Sequence, residues 1–227
     1  MTFRIDNGAK MGVFLRSGFV TAFPKITRLV LELDIEMMSS PLVNPPSDAV
    51  PPRGLRSLRL AGHSALTILT WLHHFPNVDS VALCFVDKDG VQAVRAALQQ
   101  LGSALHHLDI NFASSEVVID LSLHPNLRTL IIRDHVCPRS SHHMIILLQR
   151  LAAPGLESLS LQLKLSTYRK FNWAALEAFL CPTRFPRLRR VEFSQDGDYN
   201  PNGLQFLREA LPLLEASGVL RTDSKIG

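Results

Sequence analysis

Five residues near the carboxyl end have the types and spacing to hold a calcium ion. Asp198, Asn200, Asn202, Gly203 and Glu209, in DYNPNGLQFLRE (198–209), fit the pattern D-x-[DN]-x-[DN]-G-x5-E. Oxygen ligands at alternate places and a glycine at the sharp turn are what a calcium loop requires. Such a loop is entered from a helix, whereas the preceding LRRVEFS alternates like a strand. Its eighth place, where an apolar residue joins two paired loops, is Gln205, and its ninth is Phe206. A second comparison explains the residues better: DGVQ (89–92) and NGLQ (202–205) both follow a strand-like stretch and precede a helix-like stripe. Asp89 and Asn202 then fall at the N-cap, with Gln92 and Gln205 as the reciprocal half of a capping box. Asn172 and Ser141 are further candidate caps, and Glu209 lies on a helix surface. No bound metal is expected.

His135, Cys137, His142 and His143 offer soft ligands within nine residues, types that zinc accepts. Their H-x-C-x4-H-H spacing matches no closed zinc site, and a polar loop running into a helix accounts for them equally well. The pairs His73–His74 and His106–His107 read as surface residues, at a helix end and on a strand. Trp71 and Trp173 fall on helix stripes and read as core. The sequence holds no nucleophile elbow, P-loop, dinucleotide fingerprint or H-E-x-x-H. Carboxylates distant in sequence can still meet in space. The expectation is a chain that is not an enzyme and needs no cofactor.

The elements that would position any site are written in a repeat. In 227 residues, seven segments share the phrase L-x-x-L-x-L. They are FPKITRLVLEL (23–33), RGLRSLRLAG (53–62), FPNVDSVALCF (75–85), GSALHHLDIN (102–111), HPNLRTLIIRD (124–134), APGLESLSLQ (153–162) and FPRLRRVEFSQ (185–195). The first apolar places, Ile26, Leu55, Val78, Leu105, Leu127, Leu156 and Leu188, are separated by 29, 23, 27, 22, 29 and 32 residues. That is close to the period of leucine-rich repeats, and seven occurrences exceed what a leucine-rich composition supplies by chance. The asparagine or cysteine that usually follows is replaced by Asp34, His63, Val86, Ala113, His135, Lys164 and Asp196, so irregular turns are expected there.

Between phrases the apolar period changes from 2 to 3.6. Val91, Val94, Leu98 and Leu101 line one helix face, as do Leu204, Leu207, Leu211 and Leu214. Trp173, Leu176, Phe179 and Leu180 make a shorter stripe, and Met11, Phe14, Leu15 and Phe19 another. Strand then helix, repeated, predicts an α/β leucine-rich-repeat solenoid: a curved parallel sheet of about seven strands with helices on the convex side. One domain spans 1–227, with MMSSPLVNPPSDAVPPRG (37–54) and its five prolines as an irregular insertion. FASSEVVIDLSLH (112–124) reads as a crossing without a full helix.

Composition narrows the class. Apolar residues make up 46% of the chain, enough for a large core, with no run of 18 apolar residues to cross a membrane. Three scattered cysteines, Cys84, Cys137 and Cys181, suggest a reduced intracellular protein, cytoplasmic or nuclear. The net charge of +4 is dispersed, so neither nucleic acid nor a membrane is expected as partner.

The phrases, joined by LTWLHHFPNVDSVAL (69–83), LGSALHHLDI (101–110), LHPNLRTLII (123–132) and FPRLRRVEF (185–193), resemble the leucine-rich-repeat region of fungal F-box proteins. In that family an F-box recruits a ubiquitin-ligase adaptor while the repeats hold a target. No F-box-like segment precedes the first phrase, so the resemblance implies the target-binding part alone. From alternation along the strands, the partner-binding concave face is assigned to Arg28, Val30, Glu32, Arg59, Ala82, Cys84, His107, Asp109, Asn111, Ile131, Arg133, Ser160, Gln162, Arg190 and Glu192. Val30 and Ile131 are expected to be exposed there, and a protein partner is expected. The alternative is a truncated or degenerate repeat fragment with no specific partner. A solenoid needs a polar cap at each end: LRTDSKIG is polar enough for one, whereas FRI (3–5) leaves an apolar edge through which the chain is expected to self-associate.

Overall fold

The computed structural model describes residues 2–6, 27–32, 54–61, 69, 72, 75–86, 90–112, 119–134, 142–163, 165, 168, 171–195 and 201–222. The repeated phrases become strands of one parallel sheet. Its strands are β1 (Thr2–Asp6), β2 (Arg28–Glu32), β3 (Ser57–Ala61), β4 (Ser80–Val86), β5 (His107–Phe112), β6 (Thr129–Asp134), β7 (Ser158–Leu163), β8 (Arg190–Gln195) and β9 (Leu220–Thr222). Strand order follows chain order, and every neighbouring pair is parallel.

The sheet has nine strands where seven phrases are legible. FRI, expected to be an apolar edge, forms the end strand of the sheet, paired along β2 from Thr2 against Arg28 to Asp6 against Glu32. LRT, expected to be part of a polar cap, is a ninth strand on β8, with Leu220 buried. Neither shows the full phrase, because an end strand needs only one side of the ladder.

The phrase places its leucines inward. Leu58 and Leu60, Val81 and Leu83, Leu108 and Ile110, Leu130 and Ile132, Leu159 and Leu161, and Val191 and Phe193 are all buried on one face. The phrase's first apolar place adds Leu55, Val78, Leu105, Leu127 and Leu156 beneath them, also buried. Together with the helix stripes these residues form one core. The helices are α1 (Val91–Leu101), α2 (His142–Gln149), α3 (Trp173–Phe179), α4 (Pro201–Ala210) and α5 (Pro212–Ala216). The stripe Val91, Val94, Leu98, Leu101 is buried along α1 as its period requires. Leu207, Leu211 and Leu214 are also buried, but Pro212 divides that stripe between two short helices. Trp173 is core, edge-on to Phe171, Phe193 and Phe206, with its indole N–H donating to the Tyr168 carbonyl at 3.2 Å. Ile119 and Leu121, in the crossing expected to lack a full helix, are buried without helical structure.

Four of the phrases open on a proline in a tight turn. Val78, Leu127, Leu156 and Leu188 donate their amides to Phe75, His124, Ala153 and Phe185, at 3.2, 3.2, 3.0 and 3.1 Å. Each is a four-residue turn with Pro at its second place, where a fixed φ suits the geometry. His124 takes the position that Phe75 and Phe185 hold elsewhere. Fully buried, it donates Nδ1–H to the Gly102 carbonyl at 2.8 Å. Gly102 ends α1 at φ +46° and ψ −124°, a backbone that side chains resist.

The capping expectations divide. Asn172 caps α3, its Oδ1 accepting from the Ala175 amide at 2.9 Å. At α1 the N-cap is Gly90, with no side-chain hydrogen bond, so Gln92 is one place too early to serve as the box partner, and Asp89 lies outside the described residues. At α4 the helix already includes Asn202, which therefore is not its cap. Pro201 explains the shift: a proline fits the first helical place and puts the start two residues upstream of Gly203. The Ser141 cap, the Met11–Phe19 stripe and the insertion 37–54 fall outside the described residues.

Replacing a central inward leucine tests the shared core. Leu108→Asp places a carboxylate among buried apolar groups and is expected to cost roughly 3–5 kcal/mol. Thermal melting followed by circular dichroism should show loss across the whole sheet, because each repeat is stabilised by its neighbours. A wild-type melting curve would refute the layer assignment.

Candidate functional site

The face opposite the core is organised by register. Arg28, Ser57, Ser80, His107, Thr129, Ser158 and Arg190 pair in one line across seven strands. Val30, Arg59, Ala82, Asp109, Ile131, Ser160, Glu192 and Arg221 form the next. Asn111, Arg133, Gln162 and Ser194 form a third across β5–β8, and Glu32, Ala61 and Cys84 extend it across β2–β4. The break between them is a register shift: one extra residue in β4 lies between the pairs Leu83–Ile110 and Val86–Phe112. It brings Val86, one of the places where the usual asparagine is missing, into the core.

At the centre of this face stands a preformed polar cluster. Arg133 forks onto Asp109, Nε to Oδ1 and Nη2 to Oδ2, both at 2.8 Å. Its remaining Nη1 donates to Gln162 Oε1 at 3.0 Å. Three adjacent strands are thus tied by one guanidinium, the planar geometry for which arginine is suited. The side chains of Arg133 and Asp109 keep only 26% and 16% of their exposure, so the pair is shielded enough for its geometry to matter. Hydrogen bonding to the Asp109 carboxylate holds the guanidinium pKa above its ordinary value, against the opposing effect of burial. Toward β8, Arg190 and Glu192 pair at 2.9 Å.

The residues assigned to this face are brought onto it, but they differ in access. Arg28, His107 and Arg190 are exposed, while Arg59, Ala82, Asp109, Ile131, Arg133, Gln162 and Glu192 are half-buried. Val30, expected to be exposed, is 93% buried, since its relative exposure is 7%. Cys84, Asn111 and Ser160 are buried too. Small side chains sink between longer ones on adjacent strands: Ser160 lies between Ile131 and Glu192 in register. Alternation assigns a face but says nothing of what neighbours cover. The side chain of Glu32 lies outside the described residues. Arg59 Nε and Asn111 Oδ1 are shielded from solvent and have no hydrogen-bond partner among the described residues.

Of the other candidate chemistry, the calcium pattern falls partly within the described residues. In the calcium pattern, α4 starts at Pro201, so places four to twelve carry helical backbone instead of a ligand loop. Glu209, its last ligand place, is exposed on α4 and accepts a hydrogen bond from Gln205 Nε2 at 2.8 Å. Asp198 and Asn200 lie outside the described residues. So do His73, His74, Trp71, His135 and Cys137, and the side chains of His142 and His143. Among the described residues, no helix is long and apolar enough to cross a membrane.

The Asp109–Arg133–Gln162 cluster was not legible as a cluster. Each member is on the assigned face, but their contact depends on the register that sets β5, β6 and β7 side by side. Compared with protein-family models, curated proteins and solved structures, the chain matches none.

Removing one partner of the central pair should be worse than removing both. Arg133→Met leaves the Asp109 carboxylate shielded and uncompensated, at an expected cost of about 1–3 kcal/mol. The double change Asp109→Leu with Arg133→Met should recover more than half of that loss in urea melts. Equal losses in the single and double variants would show that the pair does not organise this face.

Proposed function

We propose that the chain is a non-catalytic scaffold that binds a partner protein on the open face of its sheet. The architecture that fits is a leucine-rich-repeat solenoid with this face concave, and the role resembles the target-binding part of an F-box ubiquitin-ligase receptor. The observation that carries the proposal is the Arg133 fork onto Asp109 with Gln162, set beside half-buried Ile131 and Ala82 in an in-register row. Polar groups already held in place lose little rotamer freedom when a partner docks. Apolar and small side chains between them give a partner area to bury, with polar groups to fix orientation.

The sequence motifs that would favour catalysis are missing from the chain, and the face offers recognition groups rather than an activated nucleophile. Site-specific photo-crosslinking tests the reading in cells. A photoreactive residue at Thr129 or Ser158, on the open face, is expected to yield a discrete protein adduct. The same residue at Gln100, exposed on α1, is expected to yield none. Ile131→Glu should abolish the open-face adduct while the protein remains folded by circular dichroism. Adducts of equal yield from both positions, or from neither, would contradict the proposal and favour a repeat fragment without a specific partner.

A further inference from the structure

The turns that start the strands enclose a groove of about 360 Å³ along the amino-terminal edge of the sheet. It lies on the edge where strands begin, apart from the open face. Three proline turns supply its apolar part, through Pro125, Pro154 and Pro186. His106, Asn126, Arg128 and Arg187 supply its polar part, and no carboxylate lines it. Arg128 and Arg187 are exposed, and neither has an ion-pair or hydrogen-bond partner for its side chain among the described residues. Arg56, in the same row before β3, by contrast pairs with Asp79 at 3.2 Å. The groove is thus a concave cationic segment whose arginines form no ion pair among the described residues, with half-buried Glu157 next after Arg128 in the row.

Its backbone adds donors. In the turns His124–Leu127, Ala153–Leu156 and Phe185–Leu188 the carbonyl of the first residue is taken by the amide of the fourth. The amides of the third residues, Asn126, Gly155 and Arg187, donate to no backbone carbonyl among the described residues. The prolines recur here because the same turn precedes β6, β7 and β8.

The spacing indicates the shape of the ligand. The lining runs from His106 before β5 to Arg187 before β8, three strand intervals, or about 14 Å at the usual strand separation. Arg128 lies one place before β6 and Arg187 three places before β8, two strand intervals or about 10 Å apart across the sheet. One phosphate group could not engage both. Two carboxylates three residues apart on an extended peptide in polyproline II conformation share one face and are about 9 Å apart. We propose that this groove is a second binding site, taking an extended acidic peptide segment that lies across the proline turns with its carboxylates on Arg128 and Arg187.

The test uses fluorescence anisotropy with the full chain and a labelled peptide carrying two glutamates three residues apart. The glutamine version of the peptide and inorganic phosphate serve as probes of charge and of simple anion binding. The glutamate peptide is expected to bind, more weakly at 300 mM than at 50 mM salt, and the glutamine version at least about fivefold less well. Arg128→Gln and Arg187→Gln, both at exposed positions, should each weaken binding about threefold, and together about tenfold. Arg59→Gln, on the open face, should leave it unchanged. This separates the groove from the proposed function: crosslinking at the open face can fail while the groove still binds, and the reverse. Equal affinity for the two peptides, wild-type binding by the double arginine variant, or displacement of the peptide by equimolar inorganic phosphate would each overturn the proposal.

Discussion

No single repeat of this chain can bury its own leucines. Each strand with its turn exposes an apolar layer that only the next strand covers, and the hydrogen-bond ladder makes the same demand. The carbonyls of Thr27, Arg56, Asp79, His106, Arg128 and Glu157 each accept two amides from the start of the next strand. Ordering a backbone costs about 1–2 kcal/mol per residue, so a repeat held by its own few leucines would not stay folded. Adjacent repeats share the ladder and the core, and the stack stands or fails as neighbours.

That shared ladder has consequences on every side of the sheet. The alternation of β3 to β8 turns the second and fourth residue of each inward, and register aligns the alternate residues into rows outward. It is register that brings Arg133 between Asp109 and Gln162, residues 24 and 29 positions away in sequence. The same repetition lays the proline turns side by side, so one turn geometry becomes an edge with recurring prolines and free amides. The open face and the groove are two products of one repeated unit. They differ because their chemistry comes from the variable places of the phrase, Asp109 and Arg133 in one case, Arg128 and Arg187 in the other.

The strands β2 to β8 were legible because L-x-x-L-x-L states both period and burial. The α1 stripe was legible for the same reason, and so was Asn172 as a cap. The end strands were not, since Thr2–Asp6 and Leu220–Thr222 each have one neighbour and carry only part of the phrase. Two helix starts were missed, by one residue at Gly90 and by two at Pro201, because backbone propensity at the helix start outweighed the side chain. Val30 was misjudged for a different reason. Alternation indicates which face a side chain joins, while its burial depends on the length of neighbours on other strands, which no local window contains. The comparison of NGLQ with DGVQ placed a helix start inside the calcium spacing, and α4 does begin there, at Pro201 rather than after Asn202.

The central claim is that the described strands form one continuous parallel sheet. Hydrogen–deuterium exchange of the intact chain, resolved by residue, measures it most directly. Amides of the inward residues from Leu83 on β4 through Leu108, Leu130 and Leu159 to Val191 on β8 should be protected to a similar degree, falling away only toward the end strands. A break in protection between two central strands, or rapid exchange at Leu108 and Leu130, would contradict the account.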